Sequence, residues 1–188
     1  MINLKKYIIL ILIMSNLTFA NESIETTYLA GGCYWGLEDL IRKIPGVINT
    51  EVGFSGGHIK NVSYKEVTRG DTGHAETIKI EFDNNELSFK ELLFNFFKMH
   101  DPTTLNQQGN DSGTQYRSAI FYTNDEQKII SGQVIDLIDK SLLWEKPIVT
   151  EISAFSNFYP AEESHQAYLI KNPEGYSCHF IRDFDFTK

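Results

Sequence analysis

Few of the residues that would classify this chain at a glance are present. Only two of its 188 residues are cysteine, Cys33 and Cys178, and only five are proline. No Cys-x-x-Cys spacing occurs, which excludes the thioredoxin-type motif and the common structural zinc patterns. Basic residues are scarce: 17 Lys and Arg face 25 Asp and Glu, for a formal charge of −8. An acidic chain without a basic stretch is a poor partner for nucleic acid or anionic lipid, and its charge serves solubility. Neither the phosphate-loop pattern nor Gly-x-Gly-x-x-Gly stands in a strand-turn-helix setting. The five histidines, at 58, 74, 100, 165 and 179, are scattered without metal-ligand spacing, so no metal or other cofactor is expected. Adjacent Cys178 and His179 do not complete a ligand set. There is no internal repeat and no low-complexity tract.

Long apolar runs are also missing, except near the start. Lys5 and Lys6 precede an apolar core over 7–14, and Thr18 and Ala20 place small residues before a cut after Ala20. A spanning helix needs about 20 apolar residues, so this segment is too short to cross a bilayer unaided. It reads as a secretory signal over 1–20, with residues 21–188 forming one domain. The expected location is outside the cytosol, in the periplasm. A retained N-terminal membrane anchor is the alternative.

What is present is a periodic chain. Ile24–Ala30 reads as a strand, followed by a helix that ends near Ile44 before Pro45-Gly46. Val47–Phe54 is a second strand, and Ser63–Thr68 makes a short helical turn carrying Tyr64 and Val67. His74–Phe82 alternates most clearly as a strand. Ser88 and Glu91 form a capping box for a helix over Phe89–Met99. After the polar loop 103–115, Tyr116–Tyr122 is a strand, with a helix from about Thr123 to Leu143 and a strand over Ile148–Ala154. Pro160 opens a last helix that runs through Ile170. The tail from Glu174 carries Cys178, has no strong periodicity and looks mobile. Strands and helices in this order predict an α+β domain: a two-layer sandwich, with helices packed on a mixed sheet.

The chemistry centres on Gly31-Gly32-Cys33-Tyr34-Trp35. Cys33 stands at a strand-to-helix corner, where free N–H groups and the helix dipole favour the thiolate. The two glycines would leave room for a substrate to approach the sulfur. Glu76 shares its strand face with Ile78, Ile80 and Phe82. Buried there it would hold its proton to unusually high pH, but it could also be a strand-end glutamate that reaches solvent. Three functions compete at this point. One is a cysteine hydrolase with His74 or His165 as base. The others are a thiol peroxidase or redox sensor using both cysteines, and a non-enzymatic domain stapled by Cys33–Cys178.

Gly32-Cys33-Tyr34-Trp35-Gly36 resembles the Gly-Cys-Phe-Trp-Gly signature of type A peptide methionine sulfoxide reductases. The resemblance continues through Gly53-Phe54-Ser55-Gly56-Gly57, Gly73-His74-Ala75-Glu76 and His100-Asp101-Pro102-Thr103-Thr104. It extends through Asp111-Ser112-Gly113-Thr114-Gln115-Tyr116-Arg117-Ser118, Glu162-Glu163-Ser164-His165-Gln166-Ala167-Tyr168 and Asn172-Pro173-Glu174-Gly175-Tyr176. These motifs stand in family order over about residues 25–180.

The resemblance implies a ferredoxin-like plait and reduction of free or peptidyl methionine S-sulfoxide. Cys33 would be the nucleophile, Glu76 the proton donor, and Tyr64 and Tyr116 hydrogen-bond donors to the sulfoxide oxygen. Tyr34 and Trp35 would hold the substrate methyl group, and Asp111, His165 and Tyr168 its main chain. Cys178 would capture a Cys33 sulfenic acid as a disulfide, which a thioredoxin-like partner then reduces. The active protein would be a monomer. Three departures stand out. Cys178 lies one residue later than in many relatives, with no second tail cysteine. Tyr34 replaces the usual phenylalanine. Phe54 and Ser164 replace common tyrosines, without a functional reading.

Overall fold

The computed structural model describes residues 23–186, so the signal segment expected over 1–20 lies outside the described residues. In chain order the elements are β1 (Ile24–Gly31), α1 (Tyr34–Ile41), β2 (Val47–Ser55), α2 (Tyr64–Val67), β3 (Ala75–Asp83) and α3 (Phe89–Met99). A small hairpin, β4 (Gln107–Gln108) and β5 (Asp111–Ser112), and a 3-10 turn at Thr114–Tyr116 follow. Then come β6 (Ser118–Tyr122), α4 (Asp125–Ser141), β7 (Glu151–Ala154), β8 (Phe158–Pro160) and α5 (Tyr168–Lys171).

The main sheet has the order β7-β6-β1-β3-β2-β8, antiparallel except where β7 runs parallel to β6. Its inner four strands, with α1 and α3 as crossovers, reproduce the split βαβ order of a ferredoxin-like plait. Strands β7 and β8 extend that plait at both edges. The α+β expectation is met.

Alternation decides what each sheet face covers. Leu29, Val52, Phe54, Ile78, Ile80 and Ile120 face the helices and pack with Leu37 and Ile41 of α1, Phe96 of α3 and Val134 of α4. Fully burying one such side chain contributes about 1.5–3 kcal/mol, so this layer dominates stability. Residues of opposite parity, Tyr28, Ala30, Ala75, Ala119 and Phe121, form a smaller cluster under Phe155 and Phe158. Helix α3 has its expected capping box: Ser88 Oγ accepts from the Glu91 N–H, and the Ser88 N–H donates to Glu91 Oε2 at 3.0 Å.

Three expectations need correction. Helix α1 stops at Ile41, because the Lys43 and Ile44 N–H groups reach back only three residues, to Leu40 and Ile41. Pro45 disfavours helical geometry at Ile44 and tightens that last turn. The helix expected over 160–170 is mostly absent. Pro160 ends edge strand β8 opposite Gly53, and only Tyr168–Lys171 is helical. The side chain of Gln166 explains this: its Oε1 accepts the Val52 N–H at 2.8 Å, and its Nε2 donates to the Val52 carbonyl at 2.8 Å. One amide thus adds a rung to the edge of β2 and draws the segment out of helical register.

The tail is the third correction. Among the described residues it has no helix or strand beyond α5, yet it is docked. The Arg182 N–H donates to the Lys98 carbonyl at 2.9 Å, and Phe186 is buried against the core beside Phe94.

Candidate active site

Cys33 is the N-cap residue of α1 and is 6% exposed. Gly32 before it has φ +100°, and a Cβ there would lie 2.4 Å from Gln108 Cγ. A Cβ on Gly31 would lie 2.9 Å from the Phe96 ring. The space beside these glycines is therefore filled by protein, not left for a substrate: Gly32 lets β1 turn sharply into α1, and Gly31 lets Phe96 pack close.

Burial also overturns the expected thiolate. It pushes the Cys33 thiol well up, the nearby Glu76 carboxylate raises it further, and the Trp35 N–H opposes both. A helix terminus contributes about 0.3–1 kcal/mol to an exposed charge. Full burial shifts a pKa by up to about 3–5 units, each near 1.4 kcal/mol, so burial wins. Burial thus favours the Cys33 thiol over its thiolate.

Glu76 is 2% exposed, which settles the two readings of that strand in favour of the buried one. It stands opposite Phe54 in the sheet register and accepts one hydrogen bond, from the Tyr34 N–H at 3.1 Å. Burial, with a smaller push from the Asp111 charge, raises its carboxyl to about 8 against the Tyr34 bond. Its charge also acts on the hydroxyls of Tyr64 and Tyr116, both raised chiefly by burial. Tyr64 opens α2, and Tyr116 closes the 3-10 turn just before β6 rather than lying within the strand. Cys33, Glu76, Tyr64 and Tyr116 thus come from four separate elements to one place.

An aromatic cluster adjoins them. Trp35 stacks on Tyr168 with ring centroids 3.8 Å apart, and Tyr64 lies 4.4 Å from the ring of His165. Tyr34 does not form an open wall: it is 1% exposed and packs against Phe54 in the main core. Its hydroxyl donates to His165 Nδ1 at 2.9 Å, and Trp35 Nε1–H donates to the same atom at 3.2 Å. A nitrogen that accepts from an indole carries no proton, so His165 is neutral with its hydrogen on Nε2. The added hydroxyl of Tyr34 therefore braces His165.

Asp111, expected at the substrate main chain, is engaged by the tail. Its Oδ2 accepts from the Tyr176 hydroxyl at 3.1 Å and from the Cys178 thiol at 3.4 Å. Cys33 and Cys178 are both free, and the charge of Cys178 is felt at Cys33. His74 serves a loop instead of the thiol: its Nε2 bonds the Ile59 carbonyl at 2.8 Å, and its Nδ1 accepts from the Gly57 N–H at 3.2 Å. With His165 Nδ1 occupied by Tyr34 and Trp35, neither base of the hydrolase alternative is paired with Cys33. Among the described residues no group of three or more His, Cys, Asp or Glu could hold a metal ion.

A family profile described as "Peptide methionine sulfoxide reductase" matches residues 25–186. The chain belongs to that family. Its relatives include peptide methionine sulfoxide reductase MsrA 1 of Mesorhizobium japonicum, 52% identical over 160 residues, which are 85% of this chain and 91% of the relative. Among solved structures, reduced Mxr1 from Saccharomyces cerevisiae superposes with a TM-score of 0.82 at 36% identity, covering 90% of this chain and 98% of that one. Methionine sulfoxide reductase A of Corynebacterium diphtheriae gives 0.79 at 38% identity, over 84% and 79%. The enzyme is accordingly an oxidoreductase that reduces methionine sulfoxide.

Sequence reasoning missed two contributors to this reductase's site. Tyr176 and His179 join Cys178 and Asp111 beside the start of α1, and no periodicity in the tail marks them. Gly36 was the one available signal: a Cβ there would lie 2.4 Å from Ser177 Oγ and 2.9 Å from His179 Nδ1, so the tail needs a glycine on α1.

Proposed function

We propose that this reductase works through Cys33, Glu76 and Cys178 on the S epimer of free or peptidyl methionine sulfoxide. The observation that carries the proposal is Glu76: a buried carboxyl with a single hydrogen-bond donor, raised to about 8, in the same electrostatic field as the Cys33 thiol. Such a carboxyl keeps its proton near neutral pH and can deliver it to an oxygen on which negative charge develops. Tyr64 and Tyr116 donate hydrogen bonds to that same oxygen. The Cys33 sulfur attacks the sulfoxide sulfur, Glu76 gives its proton to the oxygen, and the thiol proton replaces it on Glu76. The hydroxyl then passes to the Cys33 sulfur as the transient S–S bond and the substrate S–O bond break. The thiol and sulfoxide become a sulfenic acid and a thioether, with atoms and electrons balanced.

Cys178 then attacks the sulfenic sulfur, forming the Cys33–Cys178 disulfide and releasing water. A dithiol reductant of the thioredoxin kind restores both thiols by exchange. A yeast neighbour, Mxr1, has been captured in complex with Trx2, which supports a protein donor. Export after cleavage at Ala20 would require that donor outside the cytosol. Mass measurement of the secreted protein checks this, and intact Met1 in a membrane fraction would speak for the anchor instead.

Single-turnover reduction of chiral methionine sulfoxide tests the mechanism. Wild type makes one methionine and loses two thiols; Cys178→Ser makes one methionine and stalls with Cys33 as a trappable sulfenic acid; Cys33→Ser makes none. Methionine formed by Cys33→Ser would end the proposal. Peroxide consumption without methionine would point to the peroxidase alternative.

A further inference from the structure

We infer that His179 is a catalytic residue of the resolving step, its Nδ1 accepting the Cys178 proton as the disulfide forms. The inference rests on the proposed role of Cys178. His179 Nε2 lies 2.8 Å from the Gly31 carbonyl, an atom that can only accept. The hydrogen of a neutral ring must therefore sit on Nε2, which leaves a lone pair on Nδ1. That Nδ1 lies 3.6 Å from Cys178 Sγ. One histidine is thus anchored to the end of β1, beside the nucleophile, and turned toward the second thiol.

The surroundings keep it so. A Cβ on Gly36 would collide with His179 Nδ1, and a Cβ on Gly32 would lie 3.3 Å from Nε2, so Gly36 of α1 and Gly32 of the nucleophile's corner both accommodate this ring. Burial, with the Arg182 charge, holds the imidazole neutral, lowered to about 4, while the Gly31 bond and the Asp111 charge pull the other way. Cys178 is in turn raised to about 11 by burial and by Asp111, so free thiolate is scarce at neutral pH. Attack by the bare anion would then be slow. As Cys178 sulfur bonds to the Cys33 sulfur, however, its remaining proton becomes strongly acidic, and even a weakly basic imidazole can take it. The imidazolium passes the proton to the departing hydroxide. The products are one disulfide and one water, with no outside oxidant or reductant.

The groups facing His179 are Cys178, Asp111, Arg182 and, from the end of α3, His100. Asp111 is the competing acceptor, since its Oδ2 lies 3.4 Å from the same sulfur. The two acceptors differ in a measurable way. After a single turnover, the rate of Cys33–Cys178 disulfide formation is followed by mass from about pH 5 to 8, and divided by the rate of methionine formation in the same sample. With His179 as acceptor, wild type is nearly flat over this range. His179→Gln lowers the ratio at least tenfold and climbs about tenfold per pH unit, as attack falls to the thiolate fraction. A steep wild-type profile, an unchanged ratio in His179→Gln, or a reduced but flat profile that leaves Asp111 as acceptor would each overturn the inference. Wild type that makes methionine but no disulfide would instead overturn the role of Cys178. Should the variant fail to fold, nitrogen chemical shifts of wild-type His179 decide the tautomer, and a proton on Nδ1 refutes the assignment.

Discussion

Two glutamates, Glu38 within α1 and Glu76 on β3 under that helix's first residue, are equally buried but very differently partnered. Glu38 and Glu76 are each 2% exposed. Glu38 is surrounded by donors: the Thr50 hydroxyl at 2.9 Å, the Ala167 N–H at 3.0 Å and the Arg42 guanidinium at 3.6 Å. It ties α1 to β2 and to the segment that carries His165 and Tyr168. Among the described residues Glu76 has one donor, the Tyr34 N–H. Burial raises both carboxyls, but three partners oppose it at Glu38 and one opposes it at Glu76. Equal burial therefore leaves a brace where the charge is satisfied and, in the proposed mechanism, a proton donor where it is not.

The same substitution at both sites is the strongest way to break this comparison. Glu76→Gln is expected to slow methionine formation by about 10²–10³-fold in single turnover, in the range of a lost acid catalyst. Its melting temperature at neutral pH should hold or rise. Glu38→Gln should do the reverse: it loses about 1–3 kcal/mol in denaturant unfolding, because the Ala167 N–H or the Thr50 hydroxyl loses its acceptor. Its rate per folded molecule should change less than about tenfold. A slow but stable Glu38→Gln would collapse the distinction.

Tyr116→Phe removes one of the donors proposed for the developing charge and is expected to cost about tenfold or more in the same assay, without loss of fold. Changing pH sharpens the contrast further. Above about pH 8 Glu76 loses its proton, so the wild-type reduction rate should fall there, and Glu76→Gln should lack this falling limb. Stability follows the same group. The folded pKa, about 8, lies above the unfolded value near 4.3, so the native state binds more protons between them. That contribution is fully present below about pH 4 and is lost as pH rises through 8. Glu76→Gln should consequently gain on wild type in unfolding experiments across this window. The smallest effect is Thr50→Val, expected to cost about 1 kcal/mol of stability for one hydrogen bond to Glu38.

Much of the plait was legible because its signals are local. The capping box of Ser88 and Glu91, the alternation of His74–Phe82 and the Pro45-Gly46 stop each act within a few residues. The edge of the sheet was not legible. Whether 161–167 becomes helix depends on Gln166 finding the free edge of β2, a partner 114 positions away. The candidate site was legible as a set of residue types in family order, with Glu76 marked by its place on an apolar face. Its electrostatics were not. The corner at Cys33 looked like an anion site from the helix terminus alone, and only packing showed that burial outweighs the dipole.

By itself, the sequence determined the strand and helix periods, the corner that carries Cys33, the parity that turns Glu76 inward and the presence of one second thiol. Periodicity and backbone preference are properties of neighbouring residues, so they survive without knowledge of the fold. Tertiary structure alone decided that Glu38 is satisfied while Glu76 is not, that Tyr34 braces His165, and that Cys178 meets Asp111 and His179. Solvation and charge are set by whatever surrounds a group in space, and here those surroundings come from segments as far apart as Gly31 and His179.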